Sequence, residues 1–152
     1  STIVSVQNSL VGAGLLKFGN DWQKKEFLTP LARGEILGAF ALSEPQAGSD
    51  AAALRCTAQK QGDHYVLNGT KQFITSGKYA DIAIVFAVTD KAAGKKGISA
   101  FIVPTNTPGY SVPKVEDKMG QTSSDTAQLL FTDMKIPATH LLGKEGEGYK
   151  IA

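Results

Sequence analysis

The order of apolar and polar positions divides the chain into a helical beginning, a long strand-rich middle and a short helical end. Ile3, Val4, Val6, Leu10, Val11, Leu15 and Leu16 form a mostly apolar stretch with no clear N-cap, which reads as the end of a helix. Asn20 or Asp21 caps a second helix over roughly Trp22 to Arg33, where Trp22, Phe27, Leu28 and Leu31 recur at helical spacing. Pro30 makes that helix short or kinked, and Gly34 ends it. From Ile36 onward, short β-branched and aromatic runs alternate with Gly, Asn, Asp and Pro clusters, the pattern of an antiparallel barrel or sandwich. The spacing predicts strands over Leu37–Leu42, Leu54–Gln59, His64–Leu67, Lys71–Thr75, Ile82–Thr89, Ser99–Pro104, Tyr110–Val115, Ala127–Met134 and Leu141–Leu142. Asn68-Gly69, between two of these runs, is the sharpest hairpin signal, since both residues tolerate the positive φ of a tight turn. Lys91–Gly97 reads as a flexible loop. Gly146-Glu147-Gly148 then leads into Tyr149–Ala152, the first residues of a further helix, so both termini read as cuts in a longer protein.

Composition narrows the class. At 152 residues the chain suits one core, and 42% apolar with 20% charged residues is ordinary globular usage. A net charge of +2, from scattered basic and acidic residues, offers no footprint for nucleic acid. The single cysteine, Cys56, reads as a small buried hydrophobe and forms no internal disulfide, which favours a reducing interior. No Cys/His cluster has metal-ligand spacing, so no metal site is expected, and His64 and His140 stand isolated. No apolar run reaches the roughly 20 residues of a membrane span.

Two stretches carry candidate chemistry. In Phe40-Ala41-Leu42-Ser43-Glu44-Pro45-Gln46-Ala47-Gly48-Ser49-Asp50 a strand ends in a Pro/Gly turn. Gly48 admits an anion close to the backbone, Ser49 adds a hydroxyl, and Ala51-Ala52-Ala53 starts a helical turn, a fit for a pyrophosphate. The same residues also make a plain Glu-Pro turn closed by an Asp cap. In Asn68-Gly69-Thr70-Lys71-Gln72-Phe73-Ile74-Thr75-Ser76-Gly77, Phe73 and Thr75 place an aromatic wall and a hydroxyl on one face, which suits a flavin ring; equally, Phe73 and Ile74 are ordinary strand residues on opposite faces.

Together, in this order, the two stretches resemble the acyl-CoA dehydrogenase family, whose middle domain carries a Thr-Glu-Pro-x-Ala-Gly-Ser-Asp loop and an Asn-Gly-x-Lys-x-Trp-Ile-Thr-Asn hairpin. The likeness continues through Gly97–Val103, Asp117–Gly120, Ser124–Ala127, Phe131–Pro137 and Leu142-Gly143 with Gly146 and Gly148. Here Ser43, Phe73 and Ser76 stand where the family usually has threonine, tryptophan and asparagine.

The resemblance implies a mainly β fold, the antiparallel β-barrel of that middle domain preceded by one or two helices. It implies three parts: residues 1–35 ending an N-terminal helical domain, 36–145 forming an FAD-binding barrel, and 146–152 starting a C-terminal helical domain. It also implies FAD contacts from Phe40, Ala41, Leu42, Ser43, Gly48, Ser49, Phe73, Ile74 and Thr75, and substrate contacts from Ser49 and, in the loop before Gly97, Lys96. A basic pair Lys95-Lys96 meets a CoA phosphate or is a solvated loop tip. The implied reaction is α,β-dehydrogenation of an acyl-CoA thioester with hydride transfer to flavin N5. The implied base is a glutamate of the C-terminal domain, so no catalytic residue is expected in this chain and Glu44 is read as a structural acceptor. Electron-transfer flavoprotein as acceptor, a homotetramer, and a bacterial cytoplasmic or mitochondrial matrix setting follow from the same likeness. Two alternatives stay open: another flavin reaction, such as acyl-CoA oxidation or monooxygenation, and a non-catalytic nucleotide- or CoA-binding barrel.

Overall fold

The computed structural model describes residues 2–152. Residues 2–18 form one helical stretch, α1, built of Thr2–Ser5, a π-helical segment Val6–Gly12, and Ala13–Phe18. Residues 21–32 form a second, α2, built of Asp21–Gln23, a π-helical segment Lys24–Leu28, and Thr29–Ala32. Of the two expected caps, Asn20 is the one used, and it caps α2 through a reciprocal capping box with Gln23. Pro30 brings no amide of its own, and the turn before it widens so that the Thr29 amide donates to the Lys24 carbonyl. Gly34, at φ 71°, ends the helix.

Eight strands follow: β1 (Gly38–Ala41), β2 (Thr57–Gln61), β3 (His64–Thr75), β4 (Ile82–Val88), β5 (Ile98–Pro104), β6 (Tyr110–Val115), β7 (Thr126–Pro137) and β8 (Leu141–Leu142). They form one sheet in the order β6-β7-β3-β2-β4-β5-β8, with β1 alongside β4. A short helix α3 (Gly148–Ile151) closes the chain.

The expected closed antiparallel barrel does not form. The sheet is mixed, because β1 and β2 both run parallel to β4, and its path ends at β6 and β8 rather than joining them. The ends explain this. β8 has only two residues, and β6 carries Pro113, which has no amide to give a further strand. Mainly β with leading helices holds.

β4 and β5 are central and covered on both faces, which is why their sequences are nearly unbroken apolar runs. Ile82, Ile84 and Phe86 of β4, with Ile98, Ala100 and Ile102 of β5, pack against Val11, Leu15, Phe27 and Leu31 of the helices. Their neighbours Val85, Phe101 and Val103 join Tyr65, Leu67, Leu129, Phe131 and Met134 on the other face. Gly38 permits the close seating of α1 on β1, since a Cβ there would lie 2.7 Å from Val11 Cγ1.

The Asn68-Gly69 hairpin also needs correction. β3 runs unbroken through both residues, and the tight turn lies earlier, at Gly62-Asp63 between Gln61 and His64, with Gly62 at φ 63°. Asn68-Gly69 instead makes a bulge against β7: Asn68 Oδ1 accepts the Asp133 amide at 2.8 Å, and Asn68 Nδ2 donates to Asp133 Oδ1. The expected start of β2 at Leu54 shifts to Thr57, because Asp50 caps a 3-10 turn over Ala51–Ala53. Lys91–Gly97, read from the sequence as a flexible loop, is built of 3-10 turns capped by Asp90 and kinked at Gly94.

Candidate functional site

The two chemistry-bearing stretches meet in space. β1 ends at Ala41 beside β4, and Leu42-Ser43-Glu44 then crosses to β3, where the Gln72 amide donates to the Ser43 carbonyl at 2.9 Å. Glu44 and Ala47 exchange backbone hydrogen bonds at 2.9 and 3.0 Å, closing the Pro45-Gln46 turn.

At the junction is a buried ion pair. Lys71 Nζ, on a side chain with no exposed surface, lies 2.8 Å from Glu44 Oε1 and also donates to the Leu42 carbonyl at 3.0 Å. The Glu44 carboxylate further accepts the Arg55 amide at 2.7 Å, the Cys56 amide at 3.1 Å and Gln46 Nε2 at 2.6 Å. Burial alone would raise the Glu44 carboxyl. The Lys71 charge, with the hydrogen bonds from Lys71, Arg55 and Cys56, outweighs it and holds the group below its ordinary value. Glu44 is thus the structural acceptor anticipated from its turn. Burial pushes the neighbouring Cys56 thiol up to about 12, which leaves it inert as a nucleophile.

Immediately after Lys71 the β3–β7 register slips, and Phe73 takes a left-handed backbone at φ 59° with its ring 65% exposed. An exposed aromatic in a strained conformation is costly to the fold and points to a use outside it. Phe73→Gly should therefore raise folding stability by about 0.5 kcal/mol in thermal denaturation, since glycine relieves the left-handed strain and little packing is lost. A fall in stability would instead show that the ring is held by protein contacts.

The remaining predicted residues fall into four groups. Ser43 and Thr75 are half-buried, and among the described residues neither hydroxyl has a hydrogen-bond partner. Gly48 and Ser49 are exposed beside the buried Ala47, and a Cβ added at Gly48 would meet nothing within 4 Å beyond its chain neighbours. Ala41 and Ile74 turn their side chains into the core, which leaves only their backbone to a ligand, while Phe40 is half-buried against Phe86 at 4.9 Å between centroids. Lys96 is exposed, and its carbonyl packs against Gly146, whose amide donates to Ser99 Oγ at 2.9 Å. A cleft of about 900 Å³ opens beside this loop, lined by Ala53, Arg55, Thr57, Gln59, Thr89 and Lys91 among others.

Lys71 is the residue that sequence reasoning passed over. It is the one charged residue between Asn68 and Gly77, but a strand lysine can equally be exposed, as Lys135 is, and only burial makes a partner necessary. Among the described residues no cluster of metal-ligating side chains occurs, and no helix is long and apolar enough to cross a membrane.

Known proteins match this arrangement along the whole chain. The acyl-CoA dehydrogenase middle domain matches residues 39–134, and the N-terminal domain of the same family matches residues 1–35. The chain is 51% identical, over 99% of its length, to the mitochondrial short-chain specific acyl-CoA dehydrogenase of Rattus norvegicus, of which it spans 36%. The butyryl-CoA dehydrogenase structure of Megasphaera elsdenii superposes with a TM-score of 0.96 at 50% identity, over 99% of this chain and 39% of that one. A structure described as the electron transferring flavoprotein of Acidaminococcus fermentans contains a chain that superposes at 0.97 with 51% identity, over 99% of this chain and 40% of that one. On the family match over residues 39–134 and this identity along nearly its full length, the chain belongs to the acyl-CoA dehydrogenase family.

Proposed function

We propose that this chain forms the flavin wall of an FAD-dependent acyl-CoA dehydrogenase acting on a short acyl-CoA thioester. The observation that carries the reading is the exposed, left-handed Phe73 standing two residues from the half-buried Thr75 hydroxyl, on a strand strapped to the Ser43 segment. These residues fit a flavin: a planar apolar surface beside uncommitted hydroxyl donors is what an isoalloxazine needs along its edge. Phe73 offers the surface, Thr75 and Ser43 the donors, and the open turn at Gly48-Ser49 suits the pyrophosphate.

When bound, FAD supplies the hydride acceptor for the β-hydrogen of the thioester. The chain's own part is to orient and to exclude water. Phe73 and the backbone of Ala41, Leu42 and Ile74 shape the wall, and the Thr75 and Ser43 hydroxyls donate to the ring edge. Ser49 and Lys96 meet the substrate, Lys96 as a point charge for a CoA phosphate. Glu44 is committed to Lys71 and two backbone amides, so it is not offered for proton abstraction. In this reading residues 1–35 belong to an N-terminal helical domain, 36–145 to the flavin-binding domain and 146–152 to a C-terminal helical domain that contributes the base. Electron-transfer flavoprotein is the proposed electron acceptor and a homotetramer the proposed assembly, in the bacterial cytoplasm or the mitochondrial matrix; the similarity to both a mitochondrial and a bacterial enzyme supports that choice.

The test is an absorbance spectrum of the purified protein that carries this chain, followed by anaerobic mixing with acyl-CoA thioesters of increasing length. The expected result is a flavin spectrum bleached by the short thioesters. Flavin that no thioester bleaches would move the function to another flavin reaction, and a colourless protein that takes up no added FAD would sink the flavin reading.

A further inference from the structure

The Lys71–Glu44 pair lies at the crossing of every segment assigned to the flavin wall. Lys71 Nζ holds the Leu42 carbonyl and Glu44 Oε1, and the adjacent Gln72 amide holds the Ser43 carbonyl. Glu44 passes the constraint on to Gln46 inside the turn and to the amides of Arg55 and Cys56 beyond it. The end of β1, the turn before Gly48 and the bulge carrying Phe73 therefore share one anchor, built from directed hydrogen bonds to backbone atoms. Resting on the flavin reading above, we propose that Lys71 and Glu44 are positioning residues for the flavin, a buried ionic clamp that sets the spacing between the Ser43 segment and the Phe73–Thr75 segment.

Stability alone does not require such a clamp. Apolar side chains of similar volume commonly replace a buried ion pair with no loss of stability. What an apolar pair lacks is the set of directed bonds to Leu42, Arg55 and Cys56, and those bonds fix where Ser43 and Phe73 stand. Groups that orient the residues around a ligand act on its affinity and electronics, so the two roles separate experimentally.

The experiment uses the protein that carries this chain, freed of flavin and titrated with FAD by fluorescence, with the visible spectrum, reduction potential and melting temperature recorded in parallel. The paired substitution Glu44→Leu with Lys71→Met should melt within a few degrees of the native protein, yet bind FAD about tenfold or more weakly and with a displaced flavin band and potential. Lys71→Arg, which keeps the charge, should recover part of both. A paired variant that melts near the native temperature and keeps the native Kd, spectrum and potential overturns the proposal. Where the paired variant does not fold, folded Lys71→Arg decides it: unchanged flavin readouts overturn the clamp and altered ones support it. Native protein that takes up no FAD fails at the first titration, before any variant, and removes the flavin reading together with this one.

Discussion

Lys71→Met should cost about 3–5 kcal/mol of folding stability, because it strands the buried Glu44 carboxylate without its cation. Lys71 is fully buried and Glu44 nearly so, so water does not take the cation's place. The pH dependence gives this loss a signature. In the native protein the Glu44 carboxyl lies below its ordinary value of 4.5, so its contribution is complete above that value and is lost as pH falls through the lower, folded-state one. Without Lys71, desolvation, the largest influence on the group, goes unopposed by the charge and raises the carboxyl. The sign then reverses: the variant carries its penalty at neutral pH and sheds it as acid protonates Glu44. Denaturant unfolding of both proteins across the acid range should show the stability gap closing as pH falls toward and below 4.5. A gap of constant size would mean that the lost side-chain packing, not the orphaned charge, sets the cost.

The strands were legible where burial is simplest. β4 and β5 are covered on both faces, and their apolar runs state as much without any knowledge of partners. β6 and β7, half-exposed, show alternation that brackets them to within a few residues. Pairing was not legible. β1 runs parallel to β4 across an intervening turn, bulge and two strands, and neither sequence records that meeting. The closed barrel failed for the same reason: closure depends on the outer edges of β6 and β8, and edges are set by which strands find each other, not by the period of any one strand.

The candidate site divides in the same way. The turn at Glu44–Ala47 follows from local Glu-Pro chemistry, whereas the Arg55 and Cys56 amides and Lys71, from which Glu44 accepts, come from 11 to 27 residues further along the chain. Lys71 required a partner that lies 27 residues back in the chain, and no local pattern names it. The left-handed Phe73 was equally hidden. Aromatic residues favour strands, and only the register slip between Lys71 and Ile74 forces the backbone there out of the extended region.

Gly69→Ala should be the second severe substitution, at about 3 kcal/mol, from strain and overpacking together. Gly69 sits at φ 145°, and a Cβ there would stand 2.7 Å from Cys56 Cα, 2.8 Å from its Cβ and 3.0 Å from its Sγ. The residue that read as half of a hairpin turn is thus needed for a close approach of β3 to the residue that enters β2. Trimming the neighbour tests which contact matters. Cys56→Ala removes the sulfur but leaves the backbone clash, so combining it with Gly69→Ala should return less than half of the loss, whereas full recovery would place the whole cost on the sulfur. Gly48→Ala is the control from the other motif: its Cβ meets nothing within 4 Å, and its stability should stay within about 0.5 kcal/mol of the native value. Two motif glycines that look alike in sequence therefore have opposite stakes in the fold, one fixed by close packing and the other left open on the surface where a ligand can approach.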